Sequence, residues 1–185
     1  MTTKSSTYKE KSPTASTKEV KKNVKKDEEG FTYIDGIPMV DQGQKGYCVV
    51  ATAERIVRYY GLDMTQHDFA QLASSDSKNG THIEQLMTMF KEINNKLRLK
   101  GKILFDSDIR GIIDNYNIYA SKQEKPTLLQ LAGAHARMIS GYNLETNEII
   151  YSDSWGKGHE RKIMKMDDAW MITMGLYLFE SRNRN

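Results

Sequence analysis

The sequence predicts an α+β domain, with helices in the first part of the chain and antiparallel strands in the last third. Three segments between residues 48 and 93 carry apolar side chains at helical spacing. From His135 onward, short apolar runs alternate with polar residues, as is typical of strands. The length of 185 residues allows one such domain with a tail.

The first 30 residues are rich in lysine and poor in apolar side chains. They hold eight Lys and five Asp or Glu, so their net charge of 8 − 5 = +3 equals that of the whole chain. A segment of this composition cannot offset its ordering entropy, and we expect residues 1–30 to be a disordered tail or linker. A pro-segment or docking arm is the alternative. The domain at 31–185 is then neutral, which argues against nucleic-acid binding.

The segment before the first helix predicts a strand and a turn, at residues 31–40, followed by a glycine-containing loop. We expect a helix from Cys48 to about Tyr60, because its apolar side chains fall on one face and Gly61 ends it. Thr65, with Asp68 in the first turn, predicts a short helix through residue 72.

Later elements follow the same signals. Thr81 with Glu84 is a capping-box signature that opens a longer helix. A strand is expected at 102–106 and a helix at 107–116, whereas 119–133 gives no clear prediction. The expected strands of the last third are HARMISGYN, EIIYSD, ERKIMKM and GLYLF, with a turn or short helix at DDAWMI.

The only cysteine of the chain, Cys48, lies where the glycine-containing loop meets the first helix. A helix N-terminus carries unpaired N–H groups and partial positive charge, which favour thiolate over thiol. Gln42 lies six positions earlier. Its amide and the Cys48 backbone N–H are therefore candidates to bind an oxyanion, with Gln44 as a weaker alternative to Gln42. A buried, inert cysteine is the other interpretation of Cys48.

A base and a group to orient it follow in the chain. His135 opens one predicted strand and Asp153 closes the next, and the polar turn LETN between them predicts a hairpin. The two side chains are then expected near one end of adjacent strands, within reach of each other. With Cys48 and Gln42 they make a complete set for acyl transfer. Ordinary structural roles and His159 as a rival base are the alternatives.

These residues resemble a known superfamily. DQGQKGYC before a helix, a histidine opening a strand and then DSWG resemble the papain-like cysteine peptidases, whose last motif has Asn where Asp153 stands. The chain is also similar to the compact bacteriocin-processing peptidases, which have Gln six residues before Cys, a helix ending in Tyr-Tyr-Gly and an aspartate as third member. The resemblance spans about Ile37 to Gly156.

The resemblance implies a papain-like fold, with a helical half carrying Cys48 and a sheet half carrying His135 and Asp153. It implies a cysteine peptidase in which Cys48 is the nucleophile, His135 the base, Asp153 its orienting partner and Gln42 the oxyanion donor. Trp155 would shield the His–Asp pair from water. The expected substrate is a peptide or flexible protein segment, and no metal or organic cofactor is expected.

Some features leave alternatives open. Tyr47 and Val49 beside the nucleophile differ from both groups, so substrate preference is not predicted. A thiol acyltransferase and a peptide-binding module that no longer cleaves are rival functions. No transmembrane run or secretory signal is visible, which makes a cytoplasmic location the default expectation. The oligomeric state is not predicted.

Overall fold

A computed structural model of the chain describes residues 22–59, 63–82, 85, 88, 89, 91, 127–132 and 135–179. These residues include three helices and seven strands. The helices are α1 (Cys48–Tyr59), α2 (Gln66–Leu72) and α3 (Met166–Ile172). The strands are β1 (Val24–Lys26), β2 (Thr32–Ile34), β3 (Thr127–Ala132), β4 (His135–Asn143), β5 (Glu148–Ser152), β6 (Lys162–Lys165) and β7 (Thr173–Phe179).

All described strand pairs are antiparallel and belong to one sheet built around β4. One edge of β4 pairs with β5, which in turn pairs with β6. Because β5 occupies that edge, β3 and β2 share the other, with β3 along the first half of β4 and β2 near its end. β7 then pairs with β3, and β1 with β2.

Gly141 allows β2 to approach β4 closely. A Cβ at this position would lie 2.6 Å from the Cβ of Tyr33 and 2.8 Å from the carbonyl oxygen of Thr32. The β4–β5 ladder also shifts register at a bulge between Ile139 and Gly141. A side chain is therefore excluded at the point where three strands meet.

The main core lies between α1 and one face of the sheet. Val50, Ala53 and Ile56 of α1 are fully buried and belong to one cluster with Ala136 and Met138 of β4. Burial continues almost all round α1, which is typical of a central helix rather than a surface one. The N-terminus of α1 is thus held rigidly against β4.

A smaller core lies on the opposite face. Since side chains alternate along a strand, Ile139 points away from the face that carries Met138. Ile139 packs with Ile149 of β5 and with Met166 and Ala169 of α3. None of the helices in the described ranges is both long and apolar enough to span a bilayer.

Most of the elements that the sequence predicts within the described residues are confirmed. α1 begins at Cys48, β4 covers His135–Asn143 as predicted, and β5 ends one residue before Asp153. Thr65 caps α2, and its hydroxyl accepts from the backbone of Asp68 in a capping box. DDAWMI belongs to a helix, α3. β3 lies in the part of the sequence that gave no clear prediction.

A short strand lies within the segment for which the sequence predicts a disordered tail. Residues 24–26 form β1, which pairs with β2, and the Asn23 amide donates to the Tyr59 hydroxyl of α1 at 3.2 Å. The division of the chain at residue 30 stays a prediction. Residues 1–21, the strand at 102–106, the helix at 107–116 and most of the helix from Thr81 lie outside the described residues.

Candidate active site

Backbone hydrogen bonds fix the loop that leads into Cys48. Gly43 has a positive φ of 65°, and its N–H donates to the Asp41 carboxylate at 2.8 Å. Three residues later, the Gly46 N–H donates to the Ser77 carbonyl at 2.8 Å. α1 starts directly after this loop, so the first-turn N–H groups of the helix lie next to the Cys48 thiol.

The same loop is joined to the DSWG motif. The Gln42 N–H donates to the Ser154 carbonyl at 2.8 Å, and the Gly156 N–H donates to the Val40 carbonyl at 3.2 Å. Asp41 and Trp155 form an antiparallel bridge between these two bonds. Two segments more than 100 residues apart are therefore held side by side, as the sequence pattern required.

His135 and Asp153 are brought together by the β4–β5 pairing. Nε2 of His135 lies 2.8 Å from Oδ1 of Asp153, whose side chain is only 4% exposed. Burial by itself would raise the pKa of Asp153, but the hydrogen bonds from His135 and Lys162 lower it to about 2. The carboxylate is thus ionised throughout the neutral range and can hold the imidazole by one nitrogen.

The Cys48 thiol and the His135 imidazole interact, and each shifts the pKa of the other. Because Nε2 is bonded to Asp153, Nδ1 is the nitrogen available to the thiol. Burial would raise the pKa of Cys48, yet the hydrogen bond with His135 and the backbone N–H groups of Ala136 and Val49 lower it.

The imidazole shifts in the complementary direction. The hydrogen bond to Asp153, followed by that to Cys48, raises the pKa of His135 to about 9. A lowered thiol pKa beside a raised imidazole pKa favours a thiolate–imidazolium pair around neutral pH.

Trp155 covers one face of the imidazole. The two rings are stacked with centroids 4.9 Å apart and an interplanar angle of 18°. The indole itself is 42% exposed, so it forms the outer wall of the site and is not a core residue. The expected shielding of the His–Asp pair therefore takes the form of a stacked lid over His135, while Asp153 is buried beneath.

Gln42 lies in the loop as the sequence predicted, but its amide also has a structural partner. Its Nε2 donates to the Lys45 carbonyl at 3.1 Å, and its Oε1 is buried with no hydrogen-bond partner. Because an amide nitrogen carries two N–H groups, one donor is left over for a ligand. The bond to Lys45 keeps the side chain within the loop that precedes Cys48.

Sequence reasoning missed two residues that contact this region. Arg55 of α1 is 2% exposed, and it donates to the Pro38 carbonyl at 2.9 Å and to the Ser152 hydroxyl at 2.7 Å. Arg55 lies nearly opposite the apolar face that the sequence predicts for α1, so no signal in the sequence marked it as buried. Lys162 donates to Oδ2 of Asp153 at 2.7 Å, and nothing in the sequence of β6 distinguishes it from the other lysines.

His159, the rival base, has another position. Its backbone carbonyl accepts from the Asp153 N–H at 3.2 Å, and its ring packs edge-on against Trp155 at 5.4 Å. Within the part of the chain that the structure describes, no group of three or more His, Cys, Asp or Glu side chains is arranged to hold a metal ion.

The comparisons with known proteins agree with this geometry. The chain is similar in structure to the peptidase domain of Streptococcus ComA, a bifunctional ABC transporter involved in a quorum-sensing pathway. The TM-score is 0.58 at 16% identity, over 78% of this chain and 97% of that domain. At this identity the likeness shows the fold, which is the papain-like one. A search of curated proteins found no match.

Fold and family together support the class of cysteine peptidases. A model of the Peptidase_C39-like family matches residues 34–177, which include the loop before Cys48, α1, the strands β3 to β6 and DSWG. The chain belongs to this family. The resemblance to papain-like and compact bacteriocin-processing peptidases is thereby confirmed.

Proposed function

We propose that the protein hydrolyses peptide bonds with Cys48 as nucleophile, His135 as general base and acid, Asp153 as the partner that orients the imidazole, and Gln42 as an oxyanion donor. The observation that carries the proposal is the 2.8 Å hydrogen bond between His135 and the buried Asp153 carboxylate, with Cys48 at the N-terminus of α1 interacting with the same imidazole. Family membership supports a peptide substrate.

The reaction begins with the thiolate–imidazolium pair. The Cys48 sulfur attacks the scissile carbonyl carbon, and the negative charge that develops on the oxygen is stabilised by the Cys48 N–H and the free N–H of the Gln42 amide. The His135 imidazolium gives its proton to the leaving amine as the C–N bond breaks, which leaves a thioester.

Hydrolysis of the thioester uses the same groups in reverse. The neutral imidazole takes a proton from water, which attacks the thioester carbonyl, and the C–S bond then breaks. Throughout, the Asp153 carboxylate holds Nε2, so that Nδ1 stays directed at the sulfur. The stacked Trp155 ring limits rotation of the imidazole during both steps.

The competing acyl-transfer function differs only in the acceptor, since an amine replaces water in the second step. The spacing of Gln42, six residues before Cys48, favours the peptidase by resemblance to the peptidase pattern. The third function, peptide binding without cleavage, is disfavoured because Cys48, His135, Asp153 and Gln42 are all present and His135 is hydrogen-bonded to Asp153, an arrangement that binding alone does not need.

The direct test is digestion of a mixed peptide library, read by mass spectrometry, with the wild-type chain and the matched variants Cys48→Ala and Cys48→Ser. The proposal predicts new peptide termini with the wild-type chain and none with either variant. A parallel reaction with a primary amine identifies acyl transfer, because an amide product would then replace the free carboxylate. A library left intact by a folded wild-type chain would contradict the proposed hydrolysis.

A further inference from the structure

We propose that Lys162 is a positioning residue of the site. It binds the second oxygen of the Asp153 carboxylate and neutralises the negative charge of that group. The hydrogen bond of His135 is then made to a carboxylate whose charge is already balanced by a lysine. This inference rests on the proposed function of Cys48, His135 and Asp153. It assigns a role to a β6 residue that contacts neither the sulfur nor the substrate carbonyl.

The two oxygens of Asp153 have different partners. Oδ1 lies 2.8 Å from Nε2 of His135, and Oδ2 accepts from Nζ of Lys162 at 2.7 Å. The aspartate side chain is 4% exposed, whereas that of Lys162 is 29% exposed. A buried carboxylate needs a partner for each oxygen, and Lys162 supplies the second while its own ammonium still reaches solvent.

Lys162 also contacts the aromatic wall of the site. Its ammonium lies 4.9 Å from the Trp155 ring centroid, and that ring stacks on His135. Asp153, His135, Trp155 and Lys162 therefore form a closed ring of contacts, in which each side chain touches two others. The β5–β6 register opposes Lys162 to Tyr151, two residues before Asp153, so the sheet itself sets the position of the ammonium.

Other charged and titratable groups face this ring from neighbouring elements. They are Cys48 and Arg55 on α1 and His159 in the segment before β6, while Glu160 acts on Arg55. Arg55 interacts with Asp153 through space, but it donates its hydrogen bonds to the Pro38 carbonyl and the Ser152 hydroxyl, and the charge of Glu160 offsets its own. Among the described cations, Lys162 is therefore the one with a hydrogen bond to Oδ2.

The pairing explains how an aspartate can stand where the papain motif has a neutral asparagine. A lone buried carboxylate would bind the imidazolium proton more tightly than an amide does, and would slow its transfer to a leaving amine. Compensation by Lys162 keeps the hydrogen-bond acceptor while removing the net charge. It also makes the ionised state of Asp153 less costly in its buried position.

The test measures the protonation midpoint of His135 by NMR titration in Lys162→Met and Lys162→Gln. Neither methionine nor glutamine carries the positive charge of lysine, although glutamine keeps a donor for Oδ2. Both variants should therefore raise the protonation midpoint of His135 by about 0.5–1 pH unit, which is a three- to tenfold gain in its proton affinity. Lys162→Arg should restore the wild-type value. Lys165→Met, on the same strand, is the matched control and should leave the midpoint unchanged.

The protonation midpoint of Asp153, followed by NMR through its carboxyl carbon, tests whether Lys162 acts on the carboxylate itself. This midpoint should rise in Lys162→Met, because Oδ2 loses both a hydrogen-bond donor and a nearby charge, and it should rise less in Lys162→Gln, which keeps a donor. An unchanged Asp153 midpoint in Lys162→Met, or an unchanged or lowered His135 midpoint in both single variants, would overturn the inference. The titration needs no substrate, so a failure of peptide hydrolysis alone would contradict only the proposed function.

Discussion

Replacing Asp153 with Asn removes the negative charge from the partner of His135 while keeping an oxygen that can accept from Nε2. The pKa of His135 is raised to about 9, first by the hydrogen bond to Asp153 and second by that to Cys48. In the variant, the hydrogen bond from His135 goes to a neutral amide oxygen in place of a carboxylate, while the interaction with Cys48 is kept. We therefore expect the pKa of His135 to fall to about 7 in Asp153→Asn.

The consequence for the site follows from these values. At pH 8, an imidazole with a pKa of about 9 is about nine-tenths protonated, and one with a pKa of about 7 is about one-tenth protonated. The protonated fraction thus falls about tenfold. The change of two pH units corresponds to about 2.7 kcal/mol of lost preference for the imidazolium. Peptide hydrolysis above neutral pH should fall with it, since the leaving amine needs that proton.

The assay is an NMR titration of the four histidines, with the His135 signal assigned by its absence in His135→Ala. Asp168→Asn, which changes an exposed carboxylate on α3, is the matched control and should leave the titration unchanged. If the His135 midpoint stays near pH 9 in a folded Asp153→Asn protein, the carboxylate is not what sustains the imidazolium, and the reasoning fails.

Two further predictions concern the nucleophile loop and α1. Gln42→Ala should lower kcat about 10²–10³-fold, because it removes one oxyanion donor, and it should leave the pH dependence of Cys48 alkylation unchanged. The control variant Gln44→Ala should change neither quantity. Equal losses of kcat in both variants would contradict the role assigned to Gln42. Arg55→Met should lower the free energy of unfolding by about 2–4 kcal/mol in urea titrations, because the Pro38 carbonyl and the Ser152 hydroxyl lose their charged donor. An unchanged free energy of unfolding would contradict this prediction, since it would mean that the cost of burying the guanidinium equals the stabilisation from its hydrogen bonds.

The sequence could predict the parts of this fold that depend on local pattern. α1, α2 and β4 were marked by apolar spacing, by the Thr65 cap and by strict boundaries at His135 and Asn143. β1 could not be predicted, because it is three residues long, consists of one valine and two lysines, and forms by pairing with β2. β3 lies in a segment that gave no clear prediction, and it forms by pairing with β4 and β7. Pairing of that kind depends on the partner strand and not on the composition of the segment.

The candidate site shows the same division. Cys48, His135 and Asp153 could be proposed because each opens or closes a predicted element, and a hairpin joins the latter two. The contact of Lys162 with Asp153 could not, since it depends on the register between β5 and β6. The bond from Gln42 to Lys45 likewise follows from loop geometry and not from spacing.

An activated Cys48 is measured most directly by the rate of its alkylation by iodoacetamide from pH 4 to 9, in the wild-type chain and in His135→Ala. We predict fast labelling at pH 6 in the wild-type chain, because the interaction with His135 lowers the pKa of Cys48. The variant should instead follow an ordinary thiol with a pKa of about 8.5. An inert Cys48, or the same ordinary profile in both proteins, would contradict an activated Cys48–His135 pair.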